Sequence, residues 1–289
     1  MTRDVYRRSI MLGNSRWIVP LAVLLILWGF APAIAQPATA TITLEDGYRQ
    51  MYNLQFSGAH LTFKAWEDLH PGDPFGPTSD AAAYLFSEFD RMGVLQSELF
   101  TDDKEFEKGP KVLPDAASRQ SFEFAIARSE LLADQILRNS PQDENALFSK
   151  VLNRGLRSDY LALVEKKYLS SVREMKSAGL LAEQLLKIDP QSYDAYLAIG
   201  VENYVLGLKP TPVRWALRLY GAETDKDAGV ARLQFTAEKG HYLRPFAQLL
   251  LAVAALRGKD NLRARQLLGG LSREFPNNKL YARELSRIP

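Results

Sequence analysis

A spacing that recurs four times constrains this chain more than any single motif. Ala59, Phe63, Trp66 and Pro71 stand at offsets of 0, 4, 7 and 12, and the same offsets relate Ser129, Ala133, Ile136 and Pro141. They recur in Ala178, Ala182, Leu185 and Pro190, and in Ala264, Leu268, Leu271 and Pro276. Steps of four and seven return to one face of a 3.6-residue helix, so three side chains of each set point the same way. The small first residue lets a neighbouring helix come close, and proline ends the helix and forces a corner. Each set therefore reads as the second helix of a pair that turns into the next.

The intervening stretches supply the first helices. Leu44, Gly47, Met51 and Leu54 form an apolar stripe at helical spacing, and further helices follow through Ala83 to Phe89, Ala146 to Gly155, Tyr193 to Leu208 and Pro245 to Arg257. Ser79 or Asp80 is the expected cap of the third helix, and Leu161 to Ile188 the extent of the sixth. A short helix over 280–288 covers the last pair. No segment alternates strictly with period two, so the expected fold is all-α. Two stretches break the pattern: 101–118, with Gly109, Pro110 and Pro114, and 207–227, with Pro210 and Pro212.

The first 35 residues are set apart from this domain. Arg3, Arg7, Arg8 and Arg16 precede an apolar run from Trp17 that ends Ala33-Ile34-Ala35, the pattern of a secretory signal peptide cleaved before Gln36. Residues 36–43 then form a short tether to a helical domain over 44–289. An uncleaved membrane anchor is the alternative, since the run approaches the roughly 20 residues that span a bilayer. Losing Arg3, Arg7, Arg8 and Arg16 with Asp4 moves the formal charge from +2 to about −1. No concentrated basic face remains for nucleic acid. With no cysteine the chain has neither disulfides nor thiolate metal sites, so packing alone holds it.

The four spaced sets resemble the tetratricopeptide repeat (TPR), whose unit of roughly 34 residues has small residues at its helix crossing and proline at its end. Gly47 and Gly200 sit where that family carries a first-helix glycine. The successive prolines are 70, 49 and 86 residues apart, so the units are interrupted by the two insertions. The resemblance covers most of 44–288 and is similar in look to exported bacterial TPR proteins of no assigned activity. It implies a right-handed α-solenoid of about five TPR-like helix pairs with two insertions, and a concave face of first helices that binds a peptide or protein. On that face Tyr48, Tyr52, Glu88 and Asn203 are the partner-binding candidates. The carboxylate clamp of some members needs asparagine after the first-helix glycine, and Tyr48 and Val201 stand there instead.

Enzyme chemistry finds little to stand on. His60, His70 and His241 are the only histidines and form no paired helical motif, so no metal site is expected. There is no nucleophile elbow or phosphate loop, and Asp102, Asp103, Glu105 and Glu107 lack the spacing of a calcium loop. No cofactor is expected. Within the second insertion, Arg214 and Arg218 lie four apart, as do Trp215 and Leu219, a pattern that suits docking on a partner helix or membrane surface. Packing of Trp215 into the domain's own groove is the competing reading.

The expected function is thus an exported scaffold or adaptor, periplasmic or extracellular, that mediates protein–protein interaction and is not an enzyme. Arg214, Trp215 and Arg218 join the first-helix residues as partner-binding candidates. A membrane-tethered envelope assembly factor that keeps its leader is one alternative. A hydrolase whose site the insertions build is another.

Overall fold

The computed structural model describes residues 42–94, 112–208 and 224–289. The leader, most of the tether, and the greater part of both insertions lie outside the described residues. Among these residues the chain is all-helical and has no strand. Five pairs follow in order: α1 (Leu44–Tyr52) with α2 (Phe56–Leu69), α3 (Phe75–Met92) with α4 (Ala116–Asn139), and α5 (Glu144–Asp159) with α6 (Tyr168–Ile188). Then come α7 (Tyr196–Gly207) with α8 (Lys226–Lys239), α9 (Arg244–Arg257) with α10 (Asn261–Glu274), and the terminal α11 (Lys279–Arg287). No helix among the described residues is long and apolar enough to cross a membrane.

Consecutive helices pack on one another, and the first helices α1, α3, α5 and α7 also touch in succession. The recurrent small residues lie at these crossings: Ala59, Ser129, Ala178 and Ala264 are all buried. A fifth copy, unread in the sequence, sits on α8. Gly229, Leu233 and Thr236 are buried at the same offsets, with His241 in the place of proline. A Cβ on Gly229 would stand 2.5 Å from the Tyr204 backbone nitrogen, so glycine allows α8 to meet α7 there. Where serine replaces alanine at the crossing, its hydroxyl is used. Ser129 Oγ lies 2.7 Å from Thr78 Oγ1 and accepts from Asn153 Nδ2 at 2.9 Å, linking α3, α4 and α5 through a buried polar cluster.

Two boundaries differ from the sequence reading. The third helix begins at Phe75, before Ser79 and Asp80, because Pro77 falls in its first turn, where a missing N–H loses no helical bond. Ser79 instead donates to the Phe75 carbonyl, and Asp80 lies 2.5 Å from His60 Nδ1. The fifth helix does not stop at Gly155. It runs to Asp159 and on through a π turn, Tyr160–Val164, and the break falls at 165–167, where Lys166 takes φ 59°.

The ends of the domain meet. The Tyr48 and Tyr242 rings are 5.0 Å apart, Tyr52 and Phe275 5.5 Å, and Phe86 and Phe246 5.3 Å. Tyr52 Oη donates to the Tyr242 carbonyl at 3.0 Å, and Asn278 Nδ2 donates to the Tyr52 carbonyl at 2.9 Å. One apolar core therefore contains residues of α1 to α5 together with residues of α7 to α11.

Candidate functional site

The amino ends of the first helices and the corners before them gather on one edge, and there the turns are pinned by carboxylates. Asp73 Oδ1 accepts from the Phe75 amide at 2.9 Å and from Asn145 Nδ2 at 2.7 Å, while Oδ2 accepts from Trp66 Nε1 at 2.7 Å. Asp143 caps α5 through the Ala146 amide. Asp189 Oδ1 accepts from the Gln191 amide, and its Oδ2 accepts from Ser192 Oγ. Asp194, in the 3-10 turn Tyr193–Ala195, reaches furthest: it accepts the amides of His241, Tyr242 and Leu243 at 3.1, 2.9 and 3.1 Å. Burial raises the Asp194 carboxyl above its ordinary range, and these three amides work against that by favouring the charged form. Gly240 is needed beside it, since a Cβ there would meet Asp194 Oδ1 at 2.4 Å.

Between these corners lies an open cleft of about 300 Å³. Glu144, Asn145 and Phe148 of α5 form one wall, Asp189 to Asp194 the floor, and Lys239, His241 and Tyr242 the other wall. At its rim His241 Nε2 lies 2.6 Å from Glu45 Oε1, and Tyr242 Oη donates to the same oxygen at 3.4 Å. The Tyr242 phenol is pushed up by burial first and by the neighbouring Glu45 charge second. Lys239 Nζ sits 4.9 Å from the centre of the Tyr193 ring, a cation resting on an aromatic face. Three carboxylates and three aromatic rings thus line the cleft against one lysine, which suits an extended or looped segment carrying a cationic side chain. A larger hollow beside Ser140–Asp143 is bordered by that single turn and gathers no chemistry.

The sequence-named residues are not brought together in this cleft. Tyr48 and Tyr52 are buried, one turn apart on α1, against the C-terminal half of the domain. Glu88 is buried at the opposite edge, where it binds Arg91 through both oxygens and accepts the Asp115 amide at 2.9 Å. Asn203 is buried in α7. Arg214, Trp215 and Arg218 lie outside the described residues, as do Asp102, Asp103, Glu105 and Glu107. Among the described residues no group of three His, Asp or Glu is placed to hold a metal ion.

The cleft residues Glu45, Asn145 and Asp194 escaped the sequence reading, and His241 entered it only as one of three histidines without a paired motif. Their meeting depends on partners far apart in the chain, and only the corner at Pro190 marked the neighbourhood. No family model matches this chain, and comparison with curated proteins and with solved structures returns no match.

Proposed function

We propose that this chain is an exported, TPR-like scaffold, a right-handed solenoid of helix pairs that holds a protein segment and performs no chemistry on it. The observation that carries the reading is the recurrence of one crossing geometry, now with a fifth copy at Gly229, Leu233 and Thr236. Such stacking makes extended surfaces rather than enclosed reaction chambers. The surface favoured for the partner is the corner cleft. The Tyr48 and Tyr52 face is filled by Tyr242 and Phe275 of the chain itself, whereas Tyr193, Lys239 and Gln191 border open space. The expected occupant is a segment with a lysine or arginine for Asp189 and Glu144 and an apolar neighbour for Phe148.

A photo-crosslinking residue in place of Gln191 tests this in the producing cell. A discrete protein adduct, lost on Asp189→Lys while the melting temperature stays within a few degrees, is the expected result. Adducts only from residues outside the cleft would remove the cleft from the proposal. Amino-terminal sequencing of the mature protein, expected to begin at Gln36, tests the export step.

A further inference from the structure

The near-neutral charge of the chain conceals a division along its length. Residues 244–289 hold nine lysines and arginines against three aspartates and glutamates, a balance of +6. Residues 36–243 hold 23 against 30, a balance of −7. The expectation that no basic face remains rested on the total, and the structure shows where the excess lies. Each of α2, α4, α6 and α8 exposes charges of both signs, such as Lys64 with Asp68 on α2 and Glu183 with Lys187 on α6. The exposed charges of α10 and α11 are all positive: Arg263, Arg265 and Arg273, then Lys279, Arg283 and Arg287. Lys259, in the turn before α10, is exposed too.

These two helices form one surface, and its carboxylates are already committed. α10 packs on α11, and Arg265 near the start of α10 donates to the Ile288 carbonyl just past the end of α11, so the pair runs antiparallel. Asp260 caps α10 by accepting the Arg263 amide at 3.0 Å. Glu274 takes the Arg244 guanidinium of α9 through both oxygens. Glu284, 2% exposed, lies 3.2 Å from Arg287 Nη1 and 3.7 Å from Arg283 Nε. Lys259, Arg263, Arg273 and Lys279 take part in no ion pair among the described residues, and Arg263 donates instead to the neutral Gln234 Oε1 at 3.1 Å. A terminal pair needs a polar outer surface to stay soluble, and mixed signs serve that; one sign alone builds a field that attracts anions.

The surface extends about 21 Å along the 14 residues of α10. Within residues 244–289 the one large apolar side chain that is exposed is Leu262, at 70%, with Lys259 and Arg263 beside it. No aromatic ring is exposed there, which leaves no anchor for a protein hot spot and no platform on which bases would stack. Spread cations around a lone leucine suit a fluid layer of phosphate headgroups, which asks for no fixed shape. We propose that the outer surface of the α10–α11 pair docks on an anionic lipid surface, with Lys259, Arg263, Arg273 and Lys279 meeting the headgroup phosphates and Leu262 entering beneath them. The inference does not depend on what the corner cleft holds.

Because the chain has no cysteine, a polarity-sensitive fluorophore on Gln266→Cys, exposed on α10, reports contact at this surface whether or not the leader is retained. In the full chain its emission should shift to the blue with vesicles of phosphatidylcholine and about 30% phosphatidylglycerol, and not with phosphatidylcholine alone. Raising salt from about 50 to about 300 mM should weaken the binding at least about tenfold. Each lysine or arginine near an anionic surface is worth about fivefold in affinity. Lys259→Gln, Arg263→Gln, Arg273→Gln and Lys279→Gln together should therefore raise the lipid concentration at half shift at least about thirtyfold, with an unchanged melting temperature. Leu262→Ser should raise it about three- to tenfold. The same charge removed elsewhere, by Lys64→Gln, Arg138→Gln, Lys187→Gln and Lys226→Gln, is the control and should raise it less than about threefold. An equal shift with neutral vesicles, an equal loss in the control, tighter binding to duplex DNA than to anionic vesicles at the same salt, or salt-sensitive self-association without vesicle binding would overturn the proposal.

Discussion

Neighbouring pairs and the two ends of the domain are joined by different chemistry. Between neighbours the contacts are small residues and buried hydroxyls: Gly229 against Tyr204, and Ser129 with Thr78 and Asn153. Between the ends they are aromatic rings, Tyr48 on Tyr242 and Tyr52 on Phe275, fastened by side-chain bonds to backbone carbonyls. Close helix approach needs the absence of side-chain volume, so neighbours use residues that vanish. Closure across the domain must fill a gap left by the path of all the intervening pairs, so it uses the largest side chains and fixes their direction with polar tips.

Breaking the closure gives the largest expected effect. Phe275, 2% exposed and packed on Tyr52 and Tyr281, should cost about 3–5 kcal/mol as Phe275→Ala. Chemical denaturation measures the loss, and hydrogen exchange should rise first in α1 and α11. Equal loosening of every helix would mean that the closure is no separate element.

The contact between neighbours is tested by Gly229→Ala. The added Cβ meets backbone rather than a movable side chain, so α8 must shift away from α7 at a cost of about 1–3 kcal/mol. An unchanged melting temperature would show that the two helices are less tightly apposed than the distance implies.

A pH-dependent variant sharpens the comparison within α5. Ser158 is satisfied across the α5–α6 contact, 3.0 Å from Ser171 Oγ, but the adjacent Asp159 carboxyl is pushed up to about 7 by burial. An acid whose folded-state pKa lies above its unfolded value binds more protons when folded, so its ionisation lowers stability as pH rises from about 4 to about 7. Asp159→Asn should remove that fall and raise stability by about 1–2 kcal/mol at pH 8, with little change at pH 4. Parallel stability profiles for the two proteins would refute the assignment.

The smallest effect is expected from the polar rim of the closure. His241 and Glu45 are 60% and 49% exposed, and His241→Ala should cost no more than about 1 kcal/mol, falling with added salt. The Glu45 carboxyl is held below its ordinary value, with burial opposing and its own amide and His241 outweighing it. Its contribution is therefore present at neutral pH and fades as pH drops through the carboxylate range. A loss as large as that of Phe275→Ala would make the rim, not the rings, the fastening of the ends.

The helix pairs were legible because their determinants are local. Offsets of four and seven define a face, and proline defines an end, without reference to anything distant. Legibility failed where a residue's meaning depended on context. Pro77 reads as a breaker unless its place in the first turn of α3 is known, and the fifth copy is hidden because Thr236 replaces the apolar third residue and His241 the proline. Tyr48 and Tyr52 read as face residues of a first helix, which they are, but the sequence does not say that the face is already covered.

The sequence by itself determined that the described chain folds into paired helices, where most of them turn, and four of the five small residues that lie at their crossings. Those properties arise within about a dozen residues, the span over which side-chain periodicity and backbone restriction act. The tertiary structure alone decided that α1 packs into the C-terminal half and that Asp194 gathers the amides of 241–243. It also decided that a cleft opens where three segments of the chain, 144–148, 189–194 and 239–242, converge. Each of those depends on contacts between residues far apart in the chain, which no local pattern carries.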